Sequence, residues 1–181
     1  MSRKDIPNII SVLRMVLVAP IVYLLLSERY QLALLLIVVA SVSDALDGFL
    51  AKRYGWSTRL GAFLDPAGDK LLIAWSYGTL AYLGNIPVWL AFIVIFRDVV
   101  IVAGSFMYHY LVRRLEGQPT WISKLNTVLE FVFLVLVIWK AGYDWPDDVT
   151  ITIFGAAVLV TVVLSGYDYV SNWIRSAQSV T

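Results

Sequence analysis

Apolar residues run along this chain in six long stretches separated by short polar intervals, at about 6–26, 31–51, 60–83, 87–112, 123–141 and 149–174. Each offers the ~20 residues that an α-helix needs to cross a hydrocarbon core. Together they consume most of the chain and leave only short connections. The pattern predicts an all-α integral membrane protein with six transmembrane helices, forming a single domain over 1–181. Arg3 and Lys4 precede the first stretch, as basic residues precede a signal peptide. That stretch is too long for one, and its only small-residue cleavage candidate is followed by Pro20, so it reads as a mature helix. No internal repeat, low-complexity tract or linker interrupts the series.

Composition agrees with the pattern: 60% of residues are hydrophobic and 15% charged, with a mean hydropathy of +0.77. Soluble domains average about 45–50% apolar and about 25% charged. The 14 basic and 13 acidic residues leave a net charge of +1, so a nucleic-acid partner has no electrostatic footprint. Absence of cysteine excludes disulfides, thiolate metal sites and cysteine nucleophiles, and a single histidine excludes multi-histidine metal centres. Basic residues are distributed unevenly. Arg3, Lys4, Lys52, Arg53, Arg59, Arg113, Arg114, Lys124 and Arg175 fall on one side of the membrane, against Arg29 and Lys140 on the other. Both termini are therefore expected in the cytoplasm. Trp56, Trp121 and Trp173 near one set of helix ends, and Trp89, Trp139 and Trp145 near the other, read as interfacial anchors. Trp75 falls in mid-span and reads as packing.

Ionisable residues inside apolar helices are costly and point to function. Asp44 and Asp47 lie late in the second stretch, Asp65 and Asp69 early in the third. Spacings of three and four put each pair on one helical face. Helix rise places Asp44 about 12 Å before Lys52, and Asp65 and Asp69 about 9 and 15 Å after Arg59, so the pairs share a depth. Four carboxylates in low dielectric need counter-charge, and oxygen donors suit two hard divalent cations, Mg²⁺ or Mn²⁺. The alternative is a salt-bridge network with Lys70 and Arg97, whose two cations do not balance four acids. Gly48, Ala51 and Gly61 leave room beside this face, and Lys52, Arg53 and Arg59 stand at its rim.

Asp44-Ala-Leu-Asp47-Gly48-Phe-Leu-Ala51-Lys52, eight residues, then Gly61-Ala-Phe-Leu-Asp65-Pro-Ala-Gly-Asp69 resembles the signature of the CDP-alcohol phosphotransferase family, D-x2-D-G-x2-A-R-x8-G-x3-D-x3-D. Every spacing agrees; Lys52 stands where the family carries arginine, keeping the charge but losing the bidentate fork. The resemblance implies that Asp44, Asp47, Asp65 and Asp69 ligate two metal ions and that Asp69 is also the general base. It implies that Gly48, Lys52 and Thr58 contact the CDP moiety of CDP-diacylglycerol, with Ala51 and Gly61 giving it room. Asn8, Ser11 and Arg14 resemble the family's first-helix N-x2-[ST]-x2-R element. A homodimer in the bacterial inner membrane, its active site facing the cytoplasm, is the arrangement implied.

The expected reaction is attack by an acceptor hydroxyl on the lipid-bearing phosphorus of CDP-diacylglycerol, with release of CMP. Asp65-Pro-Ala-Gly-Asp69-Lys70 is similar to phosphatidylglycerophosphate and cardiolipin synthases of bacteria. Arg97-Asp98-Val99 and Pro119-Thr-Trp-Ile-Ser123-Lys124-Leu-Asn126-Thr127 are closer to eukaryotic-type cardiolipin synthases. The reading favours phosphatidylglycerol as the phosphate-bearing acceptor, with glycerol 3-phosphate as the alternative, and Arg97 and Lys124 as acceptor-binding residues. A transporter would also bury acids, but no polar trail continues to the outer face. His109, Glu130 and Asp168 are left without a role.

Overall fold

The computed structural model describes the backbone of residues 6–54, 61–111 and 121–178, and side chains over 12–43, 68, 70–103, 121–168 and 171. Six helices occupy these residues, α1 (Ile6–Leu26), α2 (Tyr30–Tyr54), α3 (Gly61–Tyr82), α4 (Val88–Leu111), α5 (Trp121–Tyr143) and α6 (Asp148–Gln178). Each coincides with one apolar stretch. The main difference is at the end of α6, which continues past Ile174 through Arg175-Ser-Ala-Gln178. Those residues are compatible with a helix but not apolar, so hydropathy stops before the hydrogen-bonded backbone does.

Tight turns join the helices at one end of the bundle. After α1, Glu28 takes a left-handed conformation (φ 56°), its N–H reaching the Leu25 carbonyl and the Arg29 N–H the Leu24 carbonyl, both at 2.9 Å. After α3, Gly84 (φ 77°) does the same, with Asn85 donating to Leu80 at 2.9 Å. Both are Schellman caps, which satisfy carbonyls that the helix end leaves without partners. Asp147 caps the start of α6: the Thr150 hydroxyl and nearby backbone N–H groups donate to its carboxylate and hold it below the ordinary carboxylate range.

α1 packs against α2 and α3, α5 against α2, α3 and α6, and α4 against α3 and α6. The helices thus close a ring in the order α1, α2, α5, α6, α4, α3, with α3 and α5 touching across its middle. Among the described residues α2 and α3 share α1 and α5 as neighbours and do not touch each other. Core residues recur one turn apart, as in Ile21 and Leu25, Ala33 and Ile37, Leu134 and Ile138, and Val158 and Val162.

The outer surface is as apolar as the core. Val16, Tyr23, Leu35, Phe92, Val99, Val128, Ile153 and Val163 are all exposed. Trp75, expected to pack, is 58% exposed and faces outward, because Ser76 and Tyr77 take the inward positions of that turn. The buried set, by contrast, includes Arg14, Arg97, Asp98, Asn126 and Glu130. Two stretches among the described residues, Trp121–Tyr143 and Asp148–Asp168, are long and apolar enough to cross a membrane; Val12–Leu26 and Tyr30–Ser43 are shorter apolar runs.

Candidate active site

The signature residues gather at the end of the bundle opposite the Schellman turns. Asp44, Asp47, Gly48, Ala51 and Lys52 lie in the C-terminal half of α2, and Gly61, Asp65 and Asp69 in the first turns of α3. Asn8 and Ser11 lie in the first turns of α1, whose N-terminus points the same way. The side chains of these residues, and Thr58 altogether, lie outside the described residues. Among the described residues no group of three or more His, Cys, Asp or Glu is arranged to hold a metal. The donor chemistry fits the implied cations: oxygen ligands only, paired at helical spacings of three and four.

Gly68 shows how α1 meets this region. A Cβ at that position would lie 3.8 Å from Met15 Cγ and 3.9 Å from Arg14 Cδ and Nη1. The buried Arg14 side chain therefore lies against the α3 backbone one residue before Asp69. The first-helix element and the aspartate helix are in direct contact.

Beyond Asp69 a buried polar network joins four helices. Lys70 of α3 donates to the Asp98 carboxylate of α4, and Arg97 Nη1 donates to the same oxygen at 2.7 Å. Arg97 Nη2 donates to Ser123 Oγ of α5 at 3.0 Å and to Ser165 Oγ of α6 at 2.5 Å. Deeper along α5, Asn126 Nδ2 donates to Glu130 Oε1 at 2.6 Å while the Thr161 hydroxyl of α6 donates to Asn126 Oδ1 at 2.8 Å. Tyr77 of α3 donates its hydroxyl to the Glu130 carbonyl at 2.9 Å. Two basic groups, Lys70 and Arg97, and two acidic groups, Asp98 and Glu130, thus share this interior, and Glu130 lies within electrostatic reach of the other three. Arg97 Nε, Glu130 Oε2 and Ser76 Oγ are buried without a hydrogen-bond partner.

Of the two residues expected at the acceptor, Arg97 is 5% exposed and central to this network. Lys124 is exposed, while its neighbour Ser123 turns inward to Arg97. The partner of Lys70 and Arg97 is Asp98, an acid the sequence reading carried only as part of a motif. The sequence reading leaves Glu130 in its stretch without a role; counting Asp98 beside it, as a second ionisable residue within an apolar stretch, is the signal that would have joined the two.

The backbone thus puts the four aspartate positions at one end of α2 and α3, beside a buried hydrogen-bonded scaffold. A family model described as CDP-alcohol phosphatidyltransferase matches residues 4–165. Cardiolipin synthase (CMP-forming) of Rattus norvegicus is 31% identical over 97% of this chain and 63% of its own length. The probable phosphatidylglycerophosphate synthase of Mycobacterium tuberculosis is 30% identical over 94% of this chain and 82% of its own. CDP-diacylglycerol–glycerol-3-phosphate 3-phosphatidyltransferase of Shigella flexneri is 32% identical over 87% and 89% respectively. The chain spans less than two thirds of the animal cardiolipin synthases it matches. With its signature spacings intact from Asp44 to Asp69 and the family model running from before α1 into α6, the chain belongs to the CDP-alcohol phosphatidyltransferase family.

Proposed function

We propose that this chain transfers the phosphatidyl group of CDP-diacylglycerol to an alcohol, releasing CMP, and that the acceptor is phosphatidylglycerol, giving cardiolipin. The observation that carries the reaction is the unbroken spacing of Asp44, Asp47, Asp65 and Asp69 on two helices whose ends face the same way. In this reading those four carboxylates hold two divalent cations, Mg²⁺ or Mn²⁺, which when bound neutralise the diphosphate and the charge developing on CMP. Asp69 accepts the proton of the acceptor hydroxyl as its oxygen forms a bond to the lipid-bearing phosphorus and the bond from that phosphorus to the CMP oxygen breaks. Gly48, Ala51 and Gly61 admit the diphosphate to the helix backbones, and Lys52 and Thr58 bind it, with Asn8 and Ser11 contributing from α1. Lys124 and the buried Nε donor of Arg97 meet the phosphate of the acceptor.

The setting proposed is a single domain of six transmembrane helices with both termini and the aspartates on the cytoplasmic side, forming a homodimer in a bacterial inner membrane. The apolar outer surface and the basic bias support it. Phosphatidylglycerol is favoured by Arg97-Asp98-Val99 and by the 119–127 segment. Glycerol 3-phosphate is the second reading, favoured by the Shigella relative, of which this chain covers 89%; the Asp65–Lys70 segment is common to both groups.

Purified protein given labelled CDP-diacylglycerol and Mg²⁺ or Mn²⁺, with each acceptor in a separate tube, decides between them. Cardiolipin from the phosphatidylglycerol tube alone is the expected result. Phosphatidylglycerophosphate from the other tube alone overturns the acceptor and keeps the reaction. CMP release from neither, or undiminished release by Asp69→Asn, overturns the proposed reaction.

A further inference from the structure

We propose that Asp98 is a positioning residue that sets the rotation of α3 and, through it, the placement of Asp69; this rests on the phosphatidyl-transfer reading. Asp98 is 6% exposed and receives the ammonium of Lys70 from α3 and the guanidinium of Arg97 from its own helix. Arg97 in turn is fixed by hydroxyls on two further helices, Ser123 at 3.0 Å and Ser165 at 2.5 Å. Among the described residues, Asp98 is thus the carboxylate through which α3 is tied to α4 and, by way of Arg97, to α5 and α6. Lys70 directly follows Asp69, and successive helical residues are ~100° apart around the axis. Holding Lys70 at one azimuth therefore holds Asp69 at another.

On its α1 side α3 is packed closely as well, Gly68 lying against Arg14 and Met15. The next fixed polar contact, Tyr77 to the Glu130 carbonyl, lies two turns further along. A misplacement of ~1 Å at a reacting group costs roughly 100-fold in rate, so a small rotation of α3 is enough to be read in turnover.

Asp98 is also a counter-charge, and the experiment has to separate the two roles. Relative to the parent, Asp98→Asn removes one acid, Lys70→Met removes one base, and Lys70→Met/Asp98→Asn keeps the parent's charge balance without the link. Asp98→Glu keeps the charge and displaces Lys70 by a methylene. Each full-length variant is measured for CMP release, for Mn²⁺ binding by calorimetry with MnCl₂ alone, and for melting temperature. The expected result is a loss of turnover of about 10- to 100-fold in all four, with weakened Mn²⁺ binding and KM for CDP-diacylglycerol within about twofold of the parent. The double variant and Asp98→Glu are expected to recover the parent melting temperature but not the turnover.

Recovery of turnover together with melting temperature in the double variant would show a counter-charge only and overturn the proposal. Parent-like turnover and Mn²⁺ affinity in Asp98→Asn overturn it too. If the parent releases no CMP with any acceptor, the reaction fails on its own; weaker Mn²⁺ binding by the charge-conserving Asp98→Glu and by the double variant then still supports the positioning role. A parent that binds no Mn²⁺ overturns both.

Discussion

Asn126 has no exposed surface and spends both ends of its amide, donating to Glu130 at 2.6 Å and accepting from Thr161 at 2.8 Å. Its position makes it the hinge between α5 and α6 in the polar interior. Replacing it by leucine removes the donor to Glu130 Oε1, and Oε2 of that carboxylate already lacks a partner. The expected cost is about 1–2 kcal/mol, between the penalty for a buried acceptor left unmade and the smaller values found between membrane helices. Chemical unfolding in detergent measures it, and Thr161→Val added to Asn126→Leu should cost little more, because the hydroxyl then keeps only the Ala157 and Val158 carbonyls of its own helix. Such pairings were invisible in the sequence. Lys70 and Asp98 are 28 residues apart and meet only because α3 and α4 are antiparallel neighbours. The spacing argument that exposed the four aspartates works within a helix and its continuation, not across the bundle.

Helix existence and extent, by contrast, were legible, because a segment in an apolar solvent must satisfy its own backbone and a long apolar run leaves it one way to do so. What hydropathy does not encode is which face meets which helix. Trp75 and Tyr77 are two residues apart and equally apolar by eye, yet one faces out and the other is fully buried. Close approach is set instead by small residues whose partners the sequence does not name. Gly155 of α6 is an example: a Cβ there would meet Phe133 of α5 at 3.3 and 3.4 Å. Phe133 is itself buried against Tyr77, ring centroids 6.1 Å apart, and has little room to yield. Gly155→Leu should therefore cost about 1–3 kcal/mol through overpacking. Phe133→Leu in the same chain should recover part of the lost melting temperature, which an effect confined to helix propensity would not allow.

At the scale of the whole molecule the proposed topology places Ser27 on the outer side and Ser57, between α2 and α3, in the cytoplasm. Because the chain has no cysteine, single substitutions report cleanly. Ser27→Cys should react with a membrane-impermeant maleimide in intact cells, and Ser57→Cys only after permeabilisation. The reverse pattern would place the aspartates on the outer face. The ionisable quartet of Lys70, Arg97, Asp98 and Glu130 bears on how such a molecule is made. Its members arrive in chain order, and the carboxylate that receives Lys70 is synthesised 28 residues after it. At about 5–20 residues per second this interval lasts about 1.5–6 seconds. Throughout it the ammonium of a newly inserted α3 has no Asp98 to meet. In the proposed topology, translation speed between these two helices thus sets how long a half-made chain holds Lys70 without Asp98, and slow codons there lengthen its exposure to the cell's quality control.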